Sequence, residues 1–118
     1  MHQQAVASEL DQDPLVVGAI IYMYGKCGYI EAAKNVFSVY QSHTTLDIKI
    51  YNAMILAYGT NGAGTQAIQT FEVLLTHNIQ PDSHTFVNLI SACAHSGLKD
   101  AALKYYLQMQ SQFRIIFF

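Results

Sequence analysis

One pattern is written three times along this chain, and it narrows the possible folds more than any other feature. Gly28, Gly62 and Gly97 fall at intervals of 34 and 35 residues, and so do Ala33, Ala67 and Ala102, and Phe37, Phe71 and Tyr106. Tyr24, Tyr58 and Cys93 keep the register, as do Ile20–Ile21, Met54–Ile55 and Leu89–Ile90. Self-similarity at this period marks helix-turn-helix repeats, each too small to bury its own apolar face and therefore stacked on its neighbours. The expected fold is all-α: a right-handed α-solenoid of about three repeats plus a partial one at the N-terminus. Solenoids are elongated binding scaffolds, so the functional question becomes what lies along the concave face.

Composition agrees. The chain has 118 residues, of which 52% are hydrophobic and 12% charged, as expected for stacked helices with many half-buried faces, or for a piece of a longer array. The formal net charge is −2 with six Lys plus Arg, a weak basis for nucleic-acid binding by charge alone, because neutralising phosphates supplies much of that affinity. There is no apolar run of about 18 residues, so no membrane span is expected, and no secretory or organellar leader pattern stands at the N-terminus. Cys27 and Cys93 are too few and too far apart for a disulfide framework or a zinc site, and both are expected at small, half-buried packing positions. None of the five histidines stands in a metal-protease or deaminase motif, and no phosphate-loop or nucleophile-elbow motif occurs. Glu9, Asp11 and Asp13 read as a solvated acidic face. Neither catalysis nor a cofactor, metal or small-molecule substrate is expected.

Apolar periodicity and turn residues place the helices. Met1 to Leu10 reads as a short helix broken at Asp11–Pro14. Leu15 to Lys26 carries Ile20, Ile21 and Tyr24, and Ile30 to Gln41 carries Ala33, Val36, Phe37 and Tyr40. Ile48 to Thr60 carries Met54, Ile55 and Tyr58, and Thr65 to Thr76 carries Ala67, Ile68, Phe71, Leu74 and Leu75. Ser83 to His95 carries Phe86, Leu89, Ile90 and Cys93. Lys99 to about Gln112 carries Ala102, Leu103, Tyr106 and Met109 on its inward face. The organisation that follows is 1–13 as the second helix of a partial repeat, 14–47, 48–82 and 83–112 as repeats one to three, and 113–118 as an irregular apolar tail.

Specific stretches narrow the family. Tyr22-Met23-Tyr24-Gly25-Lys26-Cys27-Gly28 is similar to the MYxKCG stretch of plant pentatricopeptide repeat proteins. Tyr51-Asn52-Ala53-Met54-Ile55 and Ile79-Gln80-Pro81-Asp82 resemble that family's YNxxI opening and IxPD closing. Thr85 to Gly97 resembles its TFxxxLSACxHxG stretch, and the order short, standard, long resembles the subclass that mixes three repeat types. The Trp of the tetratricopeptide signature is missing. The resemblance covers about residues 2 to 112.

The resemblance implies sequence-specific binding of single-stranded RNA, about one base per unit, by a parent protein acting in RNA editing, splicing, processing or stability in mitochondria or chloroplasts, with editing or processing proteins as further partners. In repeat two the base-reading positions map to Asn52, Asp82 and Lys49, and the family rule for an Asn/Asp pair points to uridine over cytidine. Repeat one offers Gly18, which has no side chain to read with, and Asp47. Repeat three offers Val87, which cannot hydrogen-bond a base edge. Lys26, Lys49 and Lys99 are candidate phosphate contacts, although solvated lysine is the commoner role. Asp82 also stands where a helix-capping carboxylate would stand. Two other readings stay open: a protein-interaction scaffold like tetratricopeptide arrays, and a truncated remnant without a function of its own.

Overall fold

The computed structural model describes residues 13–43 and 47–111, and these form six α-helices with no strand among the described residues. They are α1 (Pro14–Lys26), α2 (Ile30–His43), α3 (Ile48–Thr60), α4 (Gly64–Thr76), α5 (Ser83–His95) and α6 (Lys99–Ser111). The ranges match those read from the sequence to within one residue at each end, except that α2 runs two residues past Gln41. The expected helix over Met1–Leu10, the partial repeat it belongs to and the tail 113–118 lie outside the described residues.

The boundaries have local causes. Each odd-numbered helix opens on an aspartate whose carboxylate accepts a backbone N–H of the first turn: Asp13 from Leu15 at 3.0 Å, Asp47 from Lys49 at 2.7 Å, Asp82 from Thr85 at 3.0 Å. Such a cap stabilises by about 1 kcal/mol. Pro14, the first residue of α1, sits where its missing N–H costs nothing. At the other end Gly62 turns into the left-handed region, with φ of 71°, and the next N–H, that of Ala63, reaches back to the Tyr58 carbonyl at 2.8 Å. This closure stops α3 and aims α4 back along it. The same bond recurs from Tyr29 to Tyr24 and from Leu98 to Cys93.

The helices form three pairs, stacked so that α3 lies beside α1 and α5 beside α3. The assembly is long and thin, 42 × 27 × 23 Å. This is the expected helical-repeat solenoid. Neighbouring first helices come very close at two points: a Cβ added to Gly25 would stand 2.7 Å from the Cβ of Ala57, and one added to Gly59 would stand 2.8 Å from the Cβ of Ala92. Hydrogen against methyl is all that fits there.

The second helices α2 and α4 each clamp two first helices. Phe37 of α2 meets Tyr51 of α3 edge-on at 5.1 Å between ring centres, and Phe71 of α4 meets Phe86 of α5 at 5.5 Å. Helix α3 is apolar on two sides, because Ile50, Met54 and Ala57 join the core shared with α1 and α2 while Ile55 joins the core shared with α4, α5 and α6. Tyr58 packs against both.

Two sequence expectations need correction. Leu103 and Tyr106 do not face inward; they are 58% and 36% exposed, and Tyr105 is buried instead, 5.5 Å from the ring of Phe71. Tyr105 stands in register with the buried Val36 and Thr70. Tyr106 stands in register with Phe37 and Phe71, whose partners are aromatic residues of a following first helix, and among the described residues no helix follows α6. Cys27 is exposed in the turn after α1 rather than half-buried, whereas Cys93 is fully buried in the second core and burial pushes its thiol pKa up.

Candidate nucleic-acid interface

The three first helices turn one face outward, and side chains from all three line two adjacent grooves on it. The first groove is bounded by Leu15, Gly18 and Tyr22 of α1, Lys49 and Asn52 of α3, and His84 of α5. The second is bounded by Lys26, Thr60, Ser91 and His95. Leu56 and Asn88 border both, so the two grooves adjoin. Aliphatic, aromatic and amide groups dominate the first groove, and hydroxyl, lysine and imidazole groups the second.

Asn52 and Asp82, 30 residues apart in sequence, are brought together. Asn52 Nδ2 donates to Asp82 Oδ1 at 3.1 Å. The contact follows from the stacking: α3 sets Asn52 one turn into the helix, and Asp82 is the residue that starts the adjacent α5. Asp82 thus caps α5 and also touches Asn52, so its capping role and its place beside Asn52 are not alternatives. Thr85 completes the cluster. Its backbone N–H donates to Asp82 Oδ1, its hydroxyl accepts from the Asp82 N–H at 3.1 Å, and its hydroxyl oxygen lies 2.7 Å from Asn52 Oδ1 and 3.0 Å from Asp82 Oδ1. Asn88 adds a bond from its amide to the Asn52 backbone carbonyl at 3.2 Å.

The electrostatics follow from these bonds. Partial burial pushes the Asp82 carboxyl upward, but this is outweighed by hydrogen bonds from the Thr85 N–H, the Thr85 hydroxyl and the Asn52 amide, and by nearby His84, and the net result lies below the ordinary carboxylate value. Asp82 is therefore ionised at neutral pH and acts only as an acceptor. Every bond it receives from the described residues ends on Oδ1, which leaves Oδ2 unengaged. The Asn52 amide keeps one N–H and one carbonyl lone pair beyond these contacts. An acceptor and a donor side by side at a groove edge can pair with the polar edge of a base.

The remaining sequence candidates are not assembled in this way. Lys49 is exposed and lines the first groove beside Asn52. Gly18 lines it as well, but offers only backbone; a Cβ there would meet Ile50 Cδ1 and the Lys49 carbonyl oxygen at 3.9 Å, ordinary contact distances. Asp47 caps α3 through the Lys49 N–H. Val87 is 46% exposed and apolar. Of the candidate phosphate contacts, Lys26 borders the second groove, while Lys99 begins α6 and lines neither groove. Reasoning from sequence passed over Thr85 and Asn88. The signal for Thr85 was present as Asp82-x-x-Thr85, a capping-box spacing in which the third helical residue can answer the cap. Nothing in the sequence singled out Asn88. Among the described residues no group of His, Cys, Asp and Glu could hold a metal ion, and no helix is long and apolar enough to cross a membrane.

Comparison with known proteins gives a consistent picture. The model of the PPR repeat family matches residues 46–95, and the model of the PPR repeat matches residues 16–42 and 84–112. A mitochondrial pentatricopeptide repeat-containing protein of Arabidopsis thaliana is 34% identical over 113 residues, which are 96% of this chain and 12% of that protein. Two chloroplastic pentatricopeptide repeat-containing proteins of the same plant are 39% identical over 116 residues and 36% identical over 115 residues, in both cases 98% of this chain and 14% of the relative. The chain spans only 12% to 14% of the length of these three relatives.

Proposed function

This chain belongs to the pentatricopeptide repeat family, and from that premise we propose that it binds single-stranded RNA along the face of its three first helices. The units are 14–47, 48–82 and 83–112, and the second is the one equipped to read a base. The observation that carries this reading is the 3.1 Å contact of Asp82 with Asn52, which lines an open groove. It leaves the amide a free donor and a free acceptor, the complement of a pyrimidine edge, with uridine as the preferred base. Lys49 beside the pair packs on the base, and Lys26 in the adjoining groove meets the phosphate chain. Unit one lacks a reading side chain at Gly18, although Asp47 is present, and unit three presents Val87. One readable base among three units, on a chain of net charge −2, gives weak and salt-sensitive binding. The parent protein acts on organellar transcripts, in a mitochondrion or chloroplast, together with editing or processing proteins, and this segment supplies binding and no chemistry.

The test is fluorescence anisotropy at low salt with short single-stranded RNAs differing at one base, run on the wild type, Asn52→Ala and Asp82→Ala. A uridine preference that both substitutions abolish is the expected result. Equal affinity for every RNA in all three proteins, or no binding, would remove the proposal. A protein-interaction scaffold is the second reading, favoured by the exposed Leu103, Tyr106 and Leu107, which share one stripe of α6.

A further inference from the structure

Thr85 has no exposed surface, yet its hydroxyl stands between the two side chains that carry the proposed base contact. We infer that Thr85, which belongs to the following helix pair, is a positioning residue for base discrimination: its hydroxyl fixes the Asn52 amide in the orientation that a uridine edge fits. The inference rests on the RNA-binding reading above and assigns the specificity of that site to a residue RNA does not touch.

An asparagine amide turned by half a rotation has nearly the same shape and the opposite hydrogen-bonding sense. Its orientation therefore decides which base edge it can complement. Asn52 is held at both ends. Its nitrogen donates to Asp82 at 3.1 Å, and its oxygen lies 2.7 Å from the Thr85 hydroxyl. The threonine oxygen is itself oriented by the Asp82 N–H, which donates to it at 3.1 Å, so its one proton is directed toward the Asn52 and Asp82 oxygens. Without the hydroxyl, Asn52 would be tied at its nitrogen alone and could swing about that bond.

Helix capping uses the hydroxyl as an acceptor, since Thr85 answers Asp82 in a capping box, but does not account for the 2.7 Å contact of that hydroxyl with Asn52 Oδ1. Asp47 caps α3 through the Lys49 N–H at 2.7 Å, with Ile50 at the register of Thr85 and therefore no hydroxyl to answer it. At that junction the residue in register with Asn52 is Gly18. The cap forms without the hydroxyl where there is no amide to orient, and the hydroxyl is present where there is one.

The experiment compares wild type, Thr85→Val, Thr85→Ser and Asn52→Ala, by anisotropy with RNAs carrying uridine or cytidine at the read base. The proteins are also followed by nitrogen–proton spectra of the Asn52 side-chain amide without RNA. The ratio of uridine to cytidine affinity should fall roughly three- to tenfold in Thr85→Val, the worth of one lost hydrogen bond, and return in Thr85→Ser. The Asn52 amide signal should move in Thr85→Val, and its acid titration, which follows Asp82, should shift to higher pH. A Thr85→Val protein that keeps the wild-type ratio, or an amide signal that does not move, overturns the role of Thr85 while leaving base reading by Asn52 intact. A folded Thr85→Ser that fails to restore the ratio overturns it too. A wild type with no uridine preference, matched by Asn52→Ala, overturns the underlying reading and this inference with it.

Discussion

The junction between the first and second helix pairs and the junction between the second and third are built alike and equipped differently. Both bring two first helices together at a glycine–alanine contact, Gly25 on Ala57 and Gly59 on Ala92, and both are closed by an edge-on aromatic pair. Where the two differ is at the start of the helices. The second junction has Asn52, Asp82 and Thr85 in one hydrogen-bonded cluster. The first has Gly18, Asp47 and Ile50 at the same three registers. Ile50 and Thr85 are both fully buried, so one register can be filled by apolar packing or by a polar clasp. The stacking is thus indifferent to what the reading positions hold, and a unit can lose its polar cluster without losing its place in the array.

The largest expected effect sets these two residues against each other. Ile50→Ala removes buried methylenes from the first core and should cost about 2–5 kcal/mol, whereas Thr85→Val keeps the volume, loses hydrogen bonds and should cost about 1–2 kcal/mol. Urea unfolding of both variants measures the difference; equal costs would mean that the two registers are not filled by different physics. A smaller effect is expected from converting the first junction into a copy of the second. Gly18→Asn with Ile50→Thr supplies the missing amide and hydroxyl to Asp47, and a Cβ at Gly18, which lines the groove, meets its neighbours only at ordinary contact distances. The double variant should gain roughly three- to tenfold in affinity for an RNA with a second uridine at the neighbouring position, read by anisotropy, the worth of one or two hydrogen bonds. No gain would show that these three registers are insufficient for reading.

The smallest effect is a pH dependence. The Asp82 carboxyl lies below its ordinary value in the folded chain, so its ionised form is favoured by folding. That contribution is fully present above the unfolded carboxylate value of about 3.9 and is lost as pH falls through the lower folded value. Asp82→Asn keeps a capping side chain and lacks the charge. Its melting temperature should therefore lie slightly below wild type at neutral pH, and the gap should close in acid. A gap that widens in acid would reverse the sign assigned to this group.

Much of the architecture was legible in the sequence because helical repeats are written in local signals. The turn glycines and the capping aspartates each act within a few residues of themselves, most of them recur every 34 to 35 residues, and the helices end where those signals stand. The aromatic register of α6 was not legible in the same way. Repetition alone assigns Tyr106 to the core because Phe71 is buried and Phe37 packs against the core, yet those two are covered by a following first helix, a partner that the local pattern does not contain. Tyr105 shared its register with Val36 and Thr70, a weaker signal because valine, threonine and tyrosine do not resemble one another. At the candidate site, the closeness of Asn52 and Asp82 followed from the family resemblance. The part played by Thr85 depended on a contact across 33 residues that no local pattern displays.

The contacts of Gly25 on Ala57 and of Gly59 on Ala92 also make the array a ruler. Two of the smallest side chains determine how far apart successive first helices stand, and with them the step between Gly18, Asn52 and Val87, the registers proposed to meet bases. On the RNA-binding proposal, a strand lying along the first helices must advance by that same step, or its bases fall out of phase with Asn52 and its counterparts. A larger residue at either contact would leave every side chain in place on its own helix and still lengthen the stride of the protein, which on that proposal would no longer match the stride of the RNA.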